Sequence, residues 1–231
     1  MTVNVSKPAL NVREKLAELD KPTGIAGEAM LRAETPQEQF NLIGAGRRNV
    51  IINGNFQISQ RGDYSSATAI SNVTYYLDRW TALVAGNTAN LTHTGNRARI
   101  TASASSSAGR YGLRQTIEHE SWMAGKWWTI SAKVKSNTSN AFVYVYTDDG
   151  IVARTEKHSG NGQDEVLTAT FYAASDNTTM QVYVRVSDDD GFTVNVLSGD
   201  YIEVTEVQLE LGKVATPFEH RSYGEELALC Q

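Results

Sequence analysis

Aromatic side chains alternate with polar ones along several segments of this 231-residue chain, a pattern suited to binding. Aromatic rings stack on the CH faces of sugars, while polar groups beside them bond the hydroxyls. Successive side chains of a strand point to opposite faces, so residues two apart share a face. Four segments then have one apolar face and one face with aromatic residues among polar ones. The second faces supply six candidate residues: Trp127, Tyr144, Tyr146, Tyr172, Tyr183 and Arg185.

These six residues form one amphipathic outer patch if their four strands belong to the same sheet. Our hypothesis for this patch is sugar binding. Two alternatives stay open: burial against a neighbouring subunit, and an ordinary cross-strand aromatic ladder that stabilises the sheet. Tyrosine and tryptophan are also common in protein interfaces, because they join a large apolar area to a polar tip. The pattern alone does not choose among the three.

Two acidic runs have the oxygen-rich composition that Ca²⁺ prefers. They are residues 148–150 (Asp-Asp-Gly) and 188–191 (Asp-Asp-Asp-Gly). Neither run has the spacing of an EF-hand loop, and Asp-Gly is a strong hairpin-turn signal. We therefore expect solvated turns. A structural calcium ion with unassigned ligands is the alternative, and no other cofactor is expected.

Motifs for catalysis are missing from the sequence. It has no Gly-x-Ser-x-Gly elbow, no His-Glu-x-x-His pair and no glycine-rich phosphate loop. The histidines are scattered, and Cys230 has no nearby basic partner in sequence that would activate a thiol. We therefore expect no enzymatic activity. A polysaccharide-degrading enzyme stays open as a further alternative, because fold does not fix function. The four histidines are His93, His119, His158 and His220.

Composition narrows the possible partners. The chain has 21 basic and 26 acidic residues, and this net charge of −5 argues against nucleic-acid binding. No apolar run approaches the roughly 20 residues that a membrane-spanning helix needs. The first residues lack the profile of a signal peptide, and one cysteine allows no intramolecular disulfide. We expect synthesis in a cytoplasm and no membrane insertion.

The region after Asn49 is rich in Thr, Val, Tyr, Ser, Asn and Gly, which favours strands separated by turns. Many short strands at regular spacing predict an all-β sandwich or barrel. The predicted strands lie near residues 49–59, 74–84, 97–103, 111–119, 126–136, 141–147, 165–173, 179–187, 192–197 and 201–211.

Residues 1–46 differ from the rest: they hold three of the four prolines and two helix-start signals. One signal is a capping box from Asn11 to Glu14, and the other begins at Thr35-Pro36. Such short helices are marginal in water, so they need a partner to pack against. We predict two domains, an attachment or oligomerisation segment at 1–46 and a sandwich at 47–231. The apolar residues expected to make the attachment contacts are Val12, Leu16, Leu19, Phe40 and Ile43.

A set of motifs spread over most of residues 49–231 resembles the β-sandwich domains at the ends of phage tail-fibre proteins. Residues 12–20 and 30–40 also resemble attachment segments of fibre proteins from T7-like phages of marine cyanobacteria. The sandwich motifs are NVIINGNFQISQRG (49–62), YLDRW (76–80), GLRQ (112–115), GKWWTIS (125–131), VQLELG (207–212), ATPFE (215–219) and ELALCQ (226–231).

The resemblance implies a jelly-roll-like antiparallel β-sandwich similar to carbohydrate-binding modules, preceded by a short attachment segment. It further implies a homotrimeric subunit of the virion tail, made in the host cytoplasm. The N-terminal segment would dock on other tail proteins, and the sandwich would bind a host surface polysaccharide. The alternative is a structural connector or capsid-decoration protein of the virion that binds no glycan.

Overall fold

Thirteen strands and one helix make up the part of the chain that this computed structural model describes, which is residues 48–118, 123–174, 179–188, 190 and 192–231. Residues 1–46, with the predicted attachment contacts Val12, Leu16, Leu19, Phe40 and Ile43, lie outside the described residues. The elements are β1 (Thr68–Ala69), β2 (Thr74–Leu77), β3 (Trp80–Ala85), β4 (Ala89–Thr94), β5 (Arg97–Ala102), β6 (Ser106–Ile117), β7 (Lys126–Ser136), β8 (Ala141–Thr147), β9 (Gly150–Arg154), β10 (Asp164–Ala173), β11 (Met180–Val186), β12 (Val194–Val196), β13 (Tyr201–Leu211) and α1 (Tyr223–Cys230).

The strands form two antiparallel sheets. Sheet A has the order β1-β4-β5-β13-β7-β10, and sheet B has the order β2-β3-β6-β11-β8-β9, with β12 paired to β6. Each sheet mixes strands from distant parts of the chain, as in a jelly roll. The all-β, jelly-roll-like sandwich predicted from the sequence is confirmed.

The core lies between the sheets and takes one face of each long strand. On β11, for example, Met180, Val182, Val184 and Val186 are all buried. Fully burying one such side chain stabilises the fold by roughly 1.5–3 kcal/mol. Because the alternation has period two, burying these residues turns Gln181, Tyr183 and Arg185 to the outside.

Residues 49–59, predicted as a strand, have no regular structure, so that prediction is wrong. Asn53 and Phe56 each have a φ of 55°, which breaks the extended conformation. The Asn53 side chain replaces sheet pairing, since its Nδ2 donates to Ile58 O and Asp78 O and its Oδ1 accepts from Ile58 N. Trp80, fully buried, donates from Nε1 to Asn53 O at 3.0 Å. Asparagine tolerates the left-handed conformation better than most residues.

Two further motif residues hold this irregular segment on the sandwich. Asn49 Nδ2 donates to Val207 O at 3.0 Å, and its Oδ1 accepts from Leu209 N at 3.0 Å. Gln115 bonds both backbone groups of Ile52. Buried polar groups need such partners, because an unpaired one costs about 1–3 kcal/mol. Part of the tail-fibre-like motif set therefore builds the fold and not a binding surface.

Other boundaries also differ from the sequence prediction. Strands β1, β4 and β9 were not predicted, and the predicted strand 74–84 is broken at Asp78-Arg79, where Arg79 has a φ of 69°. Helix α1 was also missed, although Ser222 and Glu225 form a capping box at its start. Asp148 and Asp149 form the turn between β8 and β9, as predicted. No helix among the described residues is long and apolar enough to span a membrane.

Candidate functional site

A cleft of about 390 Å³ lies on the outer face of sheet B. Strands β3, β6, β8 and β11 supply most of its lining, and a loop after β11 supplies its rim. We call it the sheet B cleft. The lining residues are Asn72, Val73, Leu83, Val84, Ala85, Arg110, Arg114, Tyr144, Tyr146, Ile151, Tyr183, Arg185, Asp190 and Phe192.

The register of the strands sets the positions of the polar and aromatic groups. Arg114 of β6 pairs with Tyr183 of β11, which pairs with Tyr144 of β8. Directly opposite residues on one face of a sheet lie about 4.5–5.5 Å apart at Cβ, so these three side chains form a continuous row. One arginine and two tyrosines from distant parts of the sequence thereby share one surface.

Gly112 of β6 lies in the next row of the sheet, opposite the cleft residue Arg185. A Cβ atom at this position would lie 2.5 Å from Arg185 Cα and would also meet the Val184 carbonyl oxygen. Since real Cβ atoms do not come this close, the sheet packs here in a way that only glycine allows. Leu83 of β3 pairs with Gly112 from the other side.

The aromatic rings of the cleft differ in what they offer to a ligand. Tyr144 and Tyr183 stack in parallel, with centroids 4.6 Å apart and planes 6° apart, and Tyr146 meets Tyr183 edge-on at 6.3 Å. Tyr144 is only 3% exposed, whereas Tyr146 is 41% exposed and Phe192 at the rim is also exposed. Tyr146 and Phe192 are therefore the rings available for stacking, whereas Tyr144 is covered and packs on Tyr183.

Arg185 connects the aromatic and charged parts of the cleft. It is 5% exposed, and its Nη1 donates to Tyr144 Oη at 2.7 Å. Its guanidinium carbon lies 5.6 Å from the centroid of the Tyr183 ring. Burial raises the pKa of Tyr144 in spite of the nearby Arg185 charge, so the phenol stays neutral and keeps its proton. Tyr183 Oη donates to Gln181 Oε1 at 2.6 Å, which fixes the second ring.

Positive charge predominates in the lining. Arg110, Arg114 and Arg185 all line the cleft, while Asp190 is the one acidic residue among the described lining residues. Asp190 lies 3.9 Å from the Arg154 guanidinium. The chain as a whole carries a net charge of −5, so the cleft is opposite in sign to the protein.

The structure separates the six residues predicted as one patch. Tyr144, Tyr146, Tyr183 and Arg185 lie together on sheet B, but Trp127 of β7 and Tyr172 of β10 lie on sheet A. The hypothesis of a single patch is wrong, because alternation tells which face of a strand is apolar and not which sheet the strand joins.

Trp127 and Tyr172 form a smaller group of their own on the outer face of sheet A. Their ring centroids are 5.7 Å apart in an edge arrangement, and Lys213 Nζ lies 4.1 Å from the Trp127 ring centroid. Both rings are well exposed, Trp127 by 42%. We call these three residues the sheet A aromatic group.

Sequence reasoning missed several residues of the cleft. Arg114 was not among the predicted site residues, although its neighbours Leu113 and Gln115 face the core and alternation turns Arg114 outward. Arg110 lies four residues before Arg114 on β6, so the same alternation turns it outward. Phe192 carried no comparable signal, because a loop residue has no periodic context.

The acidic runs, the histidines and Cys230 were considered above as possible metal-binding or catalytic residues, and the structure shows the contacts of several of them. No three His, Cys, Asp or Glu side chains within the described ranges lie close enough together to hold a metal ion. Asp188 Oδ1 accepts from the backbone of Asp190 and Phe192, which shapes the rim of the cleft. His93 Nε2 and Phe56 O are 2.6 Å apart, while His119 lies outside the described residues. Burial raises the pKa of Cys230 to about 12, so its thiol stays protonated.

No protein-family model matches the chain, and no curated protein matches it. Several solved structures are similar. The enzymatically active domain of bacteriophage CBA120 tailspike protein 4 has 13% identity and a TM-score of 0.41 over 71% of this chain, which spans 21% of that chain. A family 11 carbohydrate-binding module of a Clostridium thermocellum cellulase has 12% identity and a TM-score of 0.41, covering 64% of this chain and 95% of that one.

A tripod from the baseplate of bacteriophage Tuc2009 is also similar, with 14% identity and a TM-score of 0.40, over 78% of this chain and 60% of that one. The similar structures thus include phage tail-associated proteins and carbohydrate-binding modules. At such identities and TM-scores, the likeness carries no argument about what this chain binds. The functional argument below therefore starts from the sheet B cleft.

Proposed function

We propose that the sandwich binds a polysaccharide in the sheet B cleft and that the chain is a tail-fibre subunit which recognises a host cell surface. One observation carries the binding proposal: the exposed Tyr146 ring stands in a cleft beside the fixed Tyr144–Tyr183 stack and polar groups. Small-ligand sites combine apolar walls with a few well-placed polar groups in this way.

The cleft offers distinct contacts to a sugar chain. Tyr146 presents a ring face for stacking, and Phe192 stands at the rim. Arg114 supplies N–H donors for hydroxyl or charged groups. Tyr144 and Gln181 act indirectly, since their hydrogen bonds hold Arg185 and Tyr183 in place. This division lets a few exposed groups bind on a rigid support.

The virion part of the proposal rests on the motif resemblance of the sequence. Residues 1–46 would attach the subunit to other tail proteins, and three copies would present three sandwiches. Linking weak sites in this way raises avidity by roughly 10²–10⁴. A shallow cleft of about 390 Å³ is then adequate for adsorption. We propose binding without catalysis.

A connector role is the second candidate, and the sheet A aromatic group favours it. Trp127, Tyr172 and Lys213 expose a large aromatic area at the edge of sheet A, where β10 has one pairing partner in its sheet. Exposed aromatic residues with a nearby cation are typical of protein interfaces. In a connector this group would pack against another virion protein.

A matched pair of variants tests the two candidates. Fluorescently labelled full-length protein is incubated with a panel of bacterial surface polysaccharides, and the Tyr146→Ala and Trp127→Ala variants are compared with it. We expect Tyr146→Ala to weaken binding about tenfold or more. The stacking of one ligand ring on an aromatic side chain contributes about 1–3 kcal/mol in the case of nucleic-acid bases, and we take the same magnitude for a sugar ring. Trp127→Ala should bind normally.

The opposite result would place the binding surface on sheet A. Circular dichroism and thermal unfolding check that both variants are folded. Absence of binding by folded, assembled wild-type protein to every polysaccharide and to intact cells would contradict the glycan proposal. Co-purification of the protein with a virion neighbour that Trp127→Ala abolishes would then support the connector.

A further inference from the structure

Two arginine side chains of the sheet B cleft have no acidic partner among the described residues. The contacts of Arg185 are Tyr144 Oη and the Tyr183 and Tyr144 rings, and the contact of Arg114 is the Tyr183 ring at 5.9 Å. The Nε atoms of both are buried without a hydrogen-bond acceptor in the described structure. Their positive charges are thus held in place by aromatic rings and a phenol, which carry no counter-charge.

Several arginines elsewhere in the sandwich are paired with carboxylates. Arg97 donates to Asp164 at 2.7 and 2.8 Å and to Glu203 at 3.1 Å. Arg221, near the C-terminus, lies 3.1 Å from Glu219. Arg114 and Arg185 differ from these arginines in having no carboxylate partner among the described residues.

A buried cation without a counter-charge is costly to the free protein. The desolvation penalty reaches several kcal/mol per ion in real proteins, and cation–π contacts recover about 0.5–2 kcal/mol. Arg185 is 5% exposed and lines the cleft, so an anion bound there would reduce this penalty. A guanidinium group also presents paired N–H donors that match the two oxygens of a carboxylate or sulfate group.

From these contacts we infer that the sheet B cleft recognises an acidic polysaccharide, with the carboxylate or sulfate group of a sugar placed against Arg114 and Arg185. Arg110 adds a third guanidinium to the same lining. Tyr146 stacks on the sugar ring while the arginines bind its anionic group. This inference rests on the proposed function, because it names the class of glycan that the same cleft binds.

The test uses pairs of polysaccharides that differ in charge alone. Full-length protein is titrated with uronate-containing polysaccharides (polygalacturonate, alginate, hyaluronate) and with their carboxyl-reduced forms. Sulfated carrageenan and its desulfated form make up a second arm, which separates sulfate from carboxylate recognition. We expect the charged member of at least one pair to bind about tenfold more tightly or better, and binding to weaken as NaCl is raised.

Two variants locate the effect. Arg114→Gln keeps a polar side chain of similar length and should lower affinity for the acidic polysaccharide about tenfold, while leaving affinity for the neutral form unchanged. Lys135→Gln removes one positive charge from β7 of sheet A and should change neither affinity, so it controls for net charge.

The outcomes distinguish a failure of this inference from a failure of the proposed function. Equal binding of charged and neutral members, or equal losses in Arg114→Gln and Lys135→Gln, overturns the inference and leaves glycan binding intact. Tyr146→Ala should weaken binding to both members of a pair, since stacking needs no charge. Absence of binding to every member of every pair counts against the proposed function, and the inference falls with it.

Discussion

Arginine side chains lie on the outer faces of both sheets, but their surroundings differ. On sheet A, Arg97 and Arg99 form ion pairs with Glu203, and Arg97 also pairs with Asp164 across the sheet. On sheet B, Arg114 and Arg185 lie against tyrosine rings. Cross-strand pairs of opposite charge stabilise a sheet, whereas uncompensated cations do not. We interpret the charges of sheet A as stabilising and, in line with the proposal above, those of sheet B as available for binding a ligand.

The strongest way to break this comparison is to add a side-chain atom at Gly112, where β6 packs closely against the cleft residue Arg185 of β11. In Gly112→Ala the new Cβ would lie 2.5 Å from Arg185 Cα, so β6 and β11 must separate. We expect the free energy of unfolding, measured by urea denaturation, to fall by about 3 kcal/mol. Glycan binding should be lost in the fraction that folds.

Gly95→Ala is the matched control in the turn between β4 and β5 of sheet A. Its Cβ would meet nothing within 4 Å, but the φ of 59° strains any L residue. We expect a loss of about 1 kcal/mol and unchanged glycan binding. A similar loss in both variants would show that close packing at Gly112 is not special.

Replacing one arginine on each sheet by methionine sharpens the comparison. Arg97→Met leaves Asp164 and Glu203 without their shared partner and should lower the free energy of unfolding by about 1 kcal/mol. Arg185→Met removes a buried charge that has no counter-charge among the described residues, and it also removes the hydrogen bond to Tyr144 Oη. Relief of the desolvation penalty, several kcal/mol, outweighs the lost hydrogen bond, so stability should stay within about 0.5 kcal/mol of wild type or rise.

Urea denaturation of the two variants side by side measures this difference, and Arg185→Met should also lose affinity for acidic polysaccharide. A larger loss of stability in Arg185→Met than in Arg97→Met would show that the charge of Arg185 is already compensated in the free protein. The two sheets would then not differ in the way described.

A smaller effect concerns pH. The hydrogen bond from Arg97 lowers the pKa of Asp164 below its ordinary value of 3.8. A carboxyl group with a lowered pKa in the folded state stabilises the protein above its ordinary pKa, and this contribution is lost as pH falls through the lowered value. We expect Asp164→Asn to be less stable than wild type by under about 1 kcal/mol at pH 7, with the gap closing below pH 3.8.

The measurement is urea denaturation of both proteins from pH 7 down to pH 3. The sheet B cleft should show no matching change of its own, because arginine stays protonated throughout this range. A gap that is constant with pH would mean that Asp164 and Arg97 do not interact in solution.

The sequence predicted much of the fold because alternation within strands is a local signal. It assigned the inward and outward faces of β7, β8, β10 and β11 correctly. It failed at residues 49–59, where Asn53 forms hydrogen bonds to distant backbone groups that no local pattern contains. Strand-forming composition was then mistaken for a strand.

The candidate site was predicted in part for the same reason. Tyr144, Tyr146, Tyr183 and Arg185 share an outer face because β8 and β11 are paired, and their outward directions were readable from the sequence. Trp127 and Tyr172 were grouped with them because pairing between strands depends on the whole fold. Arg114 reaches the cleft only through the register of β6 with β11, which is likewise a tertiary property.

The central claim is that ligand binds to sheet B and not to sheet A, and a crystal structure of the full chain with a bound oligosaccharide tests it most directly. The oligosaccharide is cut from the polysaccharide that binds most tightly. We expect a sugar ring against Tyr146 and a polar or anionic group within hydrogen-bond distance of Arg114. A sugar bound at Trp127 and Tyr172, with the sheet B cleft empty, would contradict the account.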